Sequence, residues 1–281
     1  MKIMLFVNDS YFSYLLSRPV IALFHKQITA VVFSTKNKES MGNILNIYQR
    51  THWRYFLYRF MIELLNRFNT LRKQNSVRAL AIHYDLRLIS TTNIAKCQEL
   101  QTILPADLGL AFNFDQIFRR PLLCAFTHGV LNVHASHLPR DKGISPVLWA
   151  FARGDQSVWS TIYRMDEGID SGPIFRQFEI PVKSADTACS LYMRVCNHSG
   201  LELKNVVRGL MQGRECPQPQ KVDREAVVWS WPNHRHREMM VGSKRAFMDL
   251  FDMGRIVGHE WPRMRPIRIY RPQKLFHKSG S

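Results

Sequence analysis

The chain has 281 residues, of which 39 are Lys or Arg and 22 are Asp or Glu, giving a formal net charge of +17. Apolar residues make up 46% of the sequence and aromatic residues 11%, which suffices for a buried core and excludes a disordered chain. The excess of basic residues indicates a polyanionic partner, an anionic membrane surface or an anionic substrate, without choosing among them.

The five cysteines fit neither a disulfide scaffold nor a metal site. Their number is odd, their spacing is wide, and no Cys-x-x-Cys pair occurs, so free thiols in a reducing compartment are expected. The apolar run at residues 3–7 is too short for the core of a signal peptide. We interpret it as a first β-strand and expect a cytoplasmic protein.

Short apolar runs alternate with helix-like stretches over the first 140 residues. This alternation predicts an α/β fold with a mostly parallel sheet, in which ligands bind at the carboxyl ends of the strands. The predicted strands are 2–8, 28–34, 79–83, 108–114 and 129–134, and the predicted helices are 12–26, 44–69 and 92–102.

The segment 44–68 is rich in aromatic residues but carries charge every few positions, as at Arg54, Arg59 and Glu63. It therefore lacks the ~20 apolar residues that a membrane span requires. We predict an amphipathic helix that covers the core. Contact with a membrane surface, or a place at a substrate entrance, is the less favoured interpretation.

The pattern changes after residue 158. Two extended stretches, 159–165 and 174–182, flank a loop at 166–173 whose glycines, proline and acidic residues are typical of a turn. A long helix is predicted over 185–211, with Ser184 as its N-cap and Gly213 as its stop. The predicted organisation is a domain over 1–215, with a helical insertion at about 41–76, and a small basic C-terminal region over 216–281.

Candidate catalytic residues lie at the end of the predicted strand 129–134 and in a later loop. Asn132 and His134 face the same side of that strand, because side chains alternate with a period of two. Asp170 lies in the loop that the next two strands could fold back onto them. An amide donor for an oxyanion, an imidazole for proton transfer and a carboxylate to tune it form a set suited to acyl transfer.

Three strings carry a family resemblance: N-V-H-A-S-H-L-P at 132–139, G-I-S-P at 143–146 and M-D-E-G-I-D-S-G-P at 165–173. Together they resemble the signature of the folate-dependent formyltransferases, a family that includes glycinamide ribonucleotide, methionyl-tRNA and amino-sugar formyltransferases. The string F-D-Q-I-F at 114–118 is similar to the family's pterin-pocket loop. The resemblance covers about 79–215 and implies a Rossmann-like formyltransferase fold with a small C-terminal extension.

The resemblance implies 10-formyltetrahydrofolate as co-substrate, no metal, and a catalytic trio of Asn132, His134 and Asp170. Asn132 and a protonated His134 would donate hydrogen bonds to the oxyanion formed when an amine attacks the formyl carbon, and Asp170 would orient His134. The residues implied to contact the pterin end are Phe114, Gln116, Ile117, Phe118, Met165, Asp166, Glu167 and Gly168.

Two positions depart from the family's usual pattern. His137 stands where a leucine is usual, and Lys142 stands where arginine is common. Lysine keeps the charge but lacks the planar fork of arginine, so a contact with a substrate carboxylate or phosphate would differ.

We expect formyl transfer to a primary amine of an anionic small molecule, with an amino sugar or sugar nucleotide preferred. A methionyl-tRNA formyltransferase is the first alternative. The basic charge favours it, whereas the 66 residues of 216–281 are short for the C-terminal barrel usual in such enzymes. A non-catalytic binding module on the same fold is the second alternative, and the intact trio of Asn132, His134 and Asp170 argues against it.

Overall fold

A seven-stranded sheet forms the centre of the computed structural model, which describes residues 1–35, 53–221, 223, 225–232, 236 and 246–258. The predicted elements and regions at 41–76, 44–69 and 216–281 thus lie partly outside the described residues. The strands are β1 (Ile3–Val7), β2 (Ile28–Ser34), β3 (Leu88–Thr91), β4 (Leu108–Phe112), β5 (Val130–His134), β6 (Asp141–Gly143), β7 (Ser157–Arg164), β8 (Ile174–Pro181) and β9 (Val227–Trp229). The helices are α1 (Tyr11–Phe24), α2 (Trp53–Leu71), α3 (Val77–His83), α4 (Gln98–Gln101), α5 (Arg120–Leu123), α6 (Pro146–Arg153), α7 (Ala188–Met211) and α8 (Leu250–Val257).

The central sheet has the strand order β3-β2-β1-β4-β5-β7-β8. The first five of these strands pair in parallel, and β7 and β8 add to β5 as antiparallel neighbours. The predicted mostly parallel α/β architecture is therefore confirmed. Strand β5 occupies the position where the sheet changes from parallel to antiparallel pairing.

Residues 79–83 were expected to form a strand, and that prediction is wrong. They belong to helix α3, whose N-cap Ser76 accepts a hydrogen bond from the amide of Ala79. Val77 and Ala81 are both buried, whereas Ile82 is 56% exposed. The four-residue spacing of the two buried positions is typical of a helix. A short apolar run does not distinguish the two structures by itself, and the polar cap decides for the helix. The third strand lies at Leu88–Thr91 instead.

The other predicted strands end within two residues of those observed, and β2 has the predicted bounds. The long helix α7 begins three residues later than predicted. Its N-cap is Thr187, in a capping box with Ser190, rather than Ser184. Gly213 adopts the left-handed conformation after the helix, with φ +64°, as a helix stop requires. The helix predicted over 92–102 is divided into a 3-10 turn at Ile94–Lys96 and α4, because the backbone at position 97 is extended.

The two faces of the sheet pack into separate apolar clusters. Ile3, Leu5 and Val7 of β1 join α1 and α7 on one face, while Met4 and Phe6 pack on the other. Strand β5 follows the same alternation. Its residues at 131 and 133 pack with the first cluster, and its residue at 130 packs with the second. The remaining residues of β5, at 132 and 134, therefore face the side of Met4 and Phe6.

Helix α2 covers the core with one side and exposes apolar side chains on the other. Tyr55 and Leu65 are buried, in agreement with the predicted covering role. No described helix has the length and apolar character needed to cross a membrane, and contact with a membrane surface stays a prediction. The exposed apolar residues of α2 are Trp53, Leu57, Leu64, Phe68 and Leu71.

Residues 246–258 pack against the first 215 residues of the chain. The side-chain amide of Asn69 donates to the backbone oxygen of Ile256 at 2.9 Å. The hydroxyl of Thr187, at the start of α7, donates to the carboxylate of Asp252, which is fully buried. Helix α8 is thus attached to both α2 and α7.

Candidate active site

Asn132 and His134 lie on one face of β5, with His134 as the last residue of the strand. The imidazole Nε2 of His134 is 2.8 Å from the backbone oxygen of Asp141. Because a carbonyl oxygen only accepts hydrogen bonds, Nε2 carries a proton. The other ring nitrogen, Nδ1, faces Oδ2 of Asp170 at 3.7 Å. The structure therefore brings all three predicted catalytic residues to one place.

The carboxylate of Asp170 accepts hydrogen bonds on both oxygens. The hydroxyl of Tyr163 donates to Oδ1 at 2.7 Å, and the backbone amide of Gly143 donates to Oδ2 at 2.7 Å. Asp170 itself adopts a left-handed backbone conformation, with φ +48°, which aspartate tolerates better than most residues. Two independent donors therefore fix the orientation of the carboxylate towards His134.

A tight approach of the backbone shapes the loop that carries Asp170. A Cβ atom placed on Gly172 would come within 1.8 Å of the backbone oxygen of Arg164. Only glycine fits this position, because no larger residue could approach that oxygen so closely. The glycine two residues after Asp170 therefore lets the loop return over the end of β7.

Tyr163 joins Asn132 to Asp170, and the sequence analysis missed it. The side-chain amide of Asn132 donates to the Tyr163 hydroxyl at 2.9 Å, and that hydroxyl in turn donates to Asp170. Burial, with the nearby carboxylate of Asp170, raises the pKa of Tyr163 well above its usual value of 10.0, so the phenol stays neutral. The antiparallel pairing of β5 with β7 sets Tyr163 opposite Asn132, and only that register could have identified it.

Strand β6 supplies backbone groups to the site, and the sequence analysis missed these as well. Its first residue, Asp141, provides the oxygen that binds His134, and its last, Gly143, provides the amide that binds Asp170. Gly143 has φ +90°, and a Cβ there would come within 2.2 Å of the backbone oxygen of Trp229. Glycine is therefore required where β6 meets β9.

The apolar residues implied to contact a pterin lie on the same sheet face as Asn132. The ring centroids of Phe114 and Phe118 lie 5.7 and 5.0 Å from that of Phe6, each in an edge-to-face arrangement. Met165 packs against the same cluster. The structure thus brings the 114–118 loop and the start of the 165–173 loop together.

Gln116 and Ile117 occupy contrasting positions in the same loop. The amide nitrogen of Gln116 donates to Ser34 Oγ at 2.8 Å and to the backbone oxygen of Thr91 at 2.9 Å. Its amide oxygen accepts from the backbone of Ile94 at 2.7 Å. These bonds brace the loop against β2 and β3. Ile117 is 76% exposed, so its side chain is accessible to a ligand.

The polar residues of the other predicted contact loop bond mainly to one another. Oδ1 of Asp166 accepts from the backbone amide of Gly168 at 3.0 Å and from the hydroxyl of Ser171 at 2.6 Å. Glu167 is exposed. Asp166 therefore closes the turn that leads to Asp170. Over the described residues, no group of three or more His, Cys, Asp or Glu side chains is placed to hold a metal ion.

Comparison with known proteins places this site in a family. Residues 68–207 match the family model described as formyl transferase. The methionyl-tRNA formyltransferase of Acidithiobacillus ferrooxidans is 34% identical over 142 residues, which is 47% of this chain and 45% of the relative. The match therefore spans less than half the length of that relative.

Solved structures share the fold at low sequence identity. The N-formyltransferase from Helicobacter canadensis, in complex with folinic acid and dTDP-3-aminofucose, has a TM-score of 0.56 at 17% identity, covering 88% of this chain and 80% of its own. Glycinamide ribonucleotide transformylase 1 from Symbiobacterium toebii has a TM-score of 0.54 at 18% identity, covering 79% of this chain and 94% of its own. Residues 68–207 therefore form a domain of the formyl transferase family, and the chain has that family's Rossmann-like α/β fold.

Proposed function

We propose that this protein transfers a formyl group from 10-formyltetrahydrofolate to a primary amine of a small molecule, with an amino sugar or sugar nucleotide as the preferred acceptor. The observation that carries the proposal is the hydrogen-bonded series Asn132–Tyr163–Asp170 beside His134, inside a formyl transferase domain. The amine nitrogen forms a bond to the formyl carbon, and the bond from that carbon to the folate nitrogen breaks. The proton lost by the amine ends on the departing folate nitrogen.

Asn132 stabilises negative charge on the formyl oxygen in this proposal. One of its two amide hydrogens is held by Tyr163, which fixes the plane of the amide and leaves the second hydrogen to donate. Protonated His134 supplies the second donor through Nδ1, because its Nε2 is engaged by Asp141. An oriented donor of this kind contributes about 2.7–4 kcal/mol to lowering the barrier.

Asp170 keeps the imidazole of His134 in place and guides the amine proton. The 3.7 Å between its Oδ2 and Nδ1 of His134 exceeds a direct hydrogen bond. The His134 ring is therefore close enough to interact with the carboxylate while Nδ1 remains available to a substrate. A water held by Asp170 carries the amine proton to the departing nitrogen.

The 114–118 loop supports a pterin-binding role. Phe114, Phe118 and Met165 provide an apolar wall on the sheet face of Asn132, and exposed Ile117 can cover a bound ring. Oδ1 of Asp115 is buried and accepts no hydrogen bond from the described residues. A buried carboxylate oxygen of this kind normally has a donor, so the Asp115 side chain would have to turn outward to accept from the N–H groups of a pterin.

Methionyl-tRNA is the second candidate acceptor. The sequence similarity to methionyl-tRNA formyltransferases and the net charge of +17 favour it, since basic proteins bind nucleic acid through phosphates. A binding module without catalysis, on the same fold, is the third candidate. It would transfer no formyl group.

One acceptor screen separates these candidates. Purified protein is incubated with 10-formyltetrahydrofolate and a panel of amino-sugar nucleotides, methionyl-tRNA and free amino acids, and products are identified by mass. We expect formylation of an amino sugar, and its loss in Asp170→Asn. Formylation of methionyl-tRNA alone would select the second candidate. Failure to bind any folate, with no acceptor formylated, would favour the third.

A further inference from the structure

A short strand from the C-terminal part of the chain borders the active site. Strand β9 pairs in parallel with β6, and the backbone amide of Val227 donates to the oxygen of Arg140 at 2.7 Å. At the other end of the pair, the amide of Ile144 donates to the oxygen of Trp229 at 2.9 Å. Strand β6 is the element whose backbone binds both His134 and Asp170. The position of β9 therefore bears directly on the catalytic candidates.

Strand β6 depends on β9 for its strand pairing. The two form a separate two-stranded sheet, outside the seven-stranded one. Each has three residues, and an isolated strand pair of that length is at most marginally stable in water. Side-chain contacts must therefore hold the pair in place.

The side chain of Trp229 supplies such contacts. Its indole Nε1 donates to Oδ1 of Asp141 at 2.7 Å. Its ring stacks on Trp149, with centroids 4.7 Å apart and an angle of 20° between the planes. Trp149 is fully buried and donates its own indole hydrogen to the backbone oxygen of Ile144 at 3.0 Å. The two tryptophans thus connect β6 to the core.

Asp141 is bound through both its carboxylate and its backbone oxygen. The indole of Trp229 and the guanidinium of Arg153 donate to its carboxylate, with the Arg153 nitrogens at 3.2 and 3.3 Å. Its backbone oxygen accepts a hydrogen bond from Nε2 of His134. The guanidinium of Arg153 also lies 5.6 Å from the centroid of the Trp229 ring. A shift of Trp229 would therefore be transmitted through Asp141 to the imidazole.

We propose that Trp229 is a positioning residue of the active site, which holds Asp141 so that its backbone oxygen accepts the Nε2–H hydrogen bond that orients the His134 ring and the Gly143 amide reaches Asp170. The inference rests on the proposed function for its kinetic consequence. It gives a part of the chain outside the matched residues 68–207 a role in the reaction.

Trp229→Phe is the informative variant, because phenylalanine keeps a ring to stack on Trp149 and removes only the donor to Asp141. Losing this hydrogen bond, which acts on the catalytic geometry, should lower kcat by roughly 3- to 10-fold. The KM values for the formyl donor and the acceptor should stay within about two-fold, since Trp229 touches neither reacting group. Trp231→Phe, in the same segment and half exposed, is the matched control.

The protonation pattern of His134 gives a readout that does not require turnover. Imidazole nitrogen NMR, recorded on the neutral ring in alkaline buffer and assigned with His134→Gln, should show the Nε2-protonated tautomer in the wild type and in Trp231→Phe. Trp229→Phe should show a mixture of tautomers, with a thermal midpoint close to the wild type. Unchanged kcat and unchanged His134 resonances would overturn the proposal, whether or not the midpoint falls. If the wild type formylates no acceptor, the proposed function fails, while the NMR comparison still decides the positioning role.

Discussion

The hydroxyl of Tyr163 donates a 2.7 Å hydrogen bond to Oδ1 of Asp170. The same hydroxyl accepts a 2.9 Å hydrogen bond from the amide of Asn132. Because the raised pKa of Tyr163 keeps the phenol protonated, the direction of both bonds is fixed. An amide from β5 and a carboxylate from the loop after β7 are therefore oriented by one side chain between them.

Tyr163→Phe should lower kcat by about 10-fold, because it removes both hydrogen bonds and lets the Asn132 amide and the Asp170 carboxylate rotate. Steady-state kinetics with the acceptor found in the screen measures the effect. The control is Tyr84→Phe, at a half-buried tyrosine that follows the last residue of α3. It should retain wild-type kcat. An unchanged kcat in Tyr163→Phe would mean that the bridge has no catalytic consequence.

Asn132→Ala should lower kcat by about 10²- to 10³-fold, the cost of losing one donor to a developing oxyanion. The effect should appear in kcat and in kcat/KM alike, because the donor acts on the transition state. The control is Asn205→Ala, which removes an asparagine amide from α7, and we expect its kcat and kcat/KM to equal those of the wild type. A raised KM with an unchanged kcat would place Asn132 in substrate binding instead.

Gly172→Ala should abolish most activity while leaving the protein folded. The new Cβ would come within 1.8 Å of the Arg164 oxygen, so the loop must move and take Asp170 with it. The comparison is Gly254→Ala in α8, where a Cβ has no neighbour within 4 Å and alanine is the better helix former. Circular dichroism checks folding and the formylation assay checks activity. Full activity in Gly172→Ala would show that the loop tolerates displacement.

Local sequence pattern was sufficient for those parts of the fold and site that depend on one element. The period-two alternation of β5 is enough to put Asn132 and His134 on one face, and the apolar runs of β1, β2 and β4 predict buried strands. The pattern failed at residues 79–83, where a short apolar run fits both a strand and a helix. There the cap at Ser76 carried the deciding information.

The missing half of the site depends on pairing between distant elements. Tyr163 reaches Asn132 through the register of β5 with β7, and Trp229 reaches Asp141 from 88 residues away. Register and long-range pairing follow from how whole faces pack, which a local pattern does not encode. The backbone groups of Asp141 and Gly143 have no signal in residue type, apart from the glycine itself.

Asp252→Ala should lower the free energy of unfolding by about 1–3 kcal/mol, the cost of leaving buried polar groups unpaired. The fully buried carboxylate accepts a hydrogen bond from the Thr187 hydroxyl. It also accepts one from the backbone amide of Asp249, which caps the start of α8. Urea unfolding measures the change, and the exposed Glu225→Ala provides the control. A change below a few tenths of a kcal/mol would show that α8 contributes little to the stability of the domain.

His198 should make the protein less stable in mildly acidic solution. Burial and the nearby Arg194 lower the pKa of this half-buried histidine below its usual 6.5, although Glu202 acts in the opposite direction. The unfolded chain therefore binds its proton first, and the free energy of unfolding falls as the pH decreases from about 6.5 to the pKa of the folded state. Asp252, whose pKa burial raises, acts with the opposite sign, so the effect is read as a difference between variants. In urea unfolding at pH 7.5 and pH 5.5 (about one unit either side of the unfolded value), His198→Gln should lose less stability on acidification than the wild type.

Burial and Arg140 likewise lower the pKa of His137. The double variant His137→Gln/His198→Gln should therefore lose still less stability on acidification. Equal losses in the wild type and His198→Gln would assign the acid sensitivity to other groups.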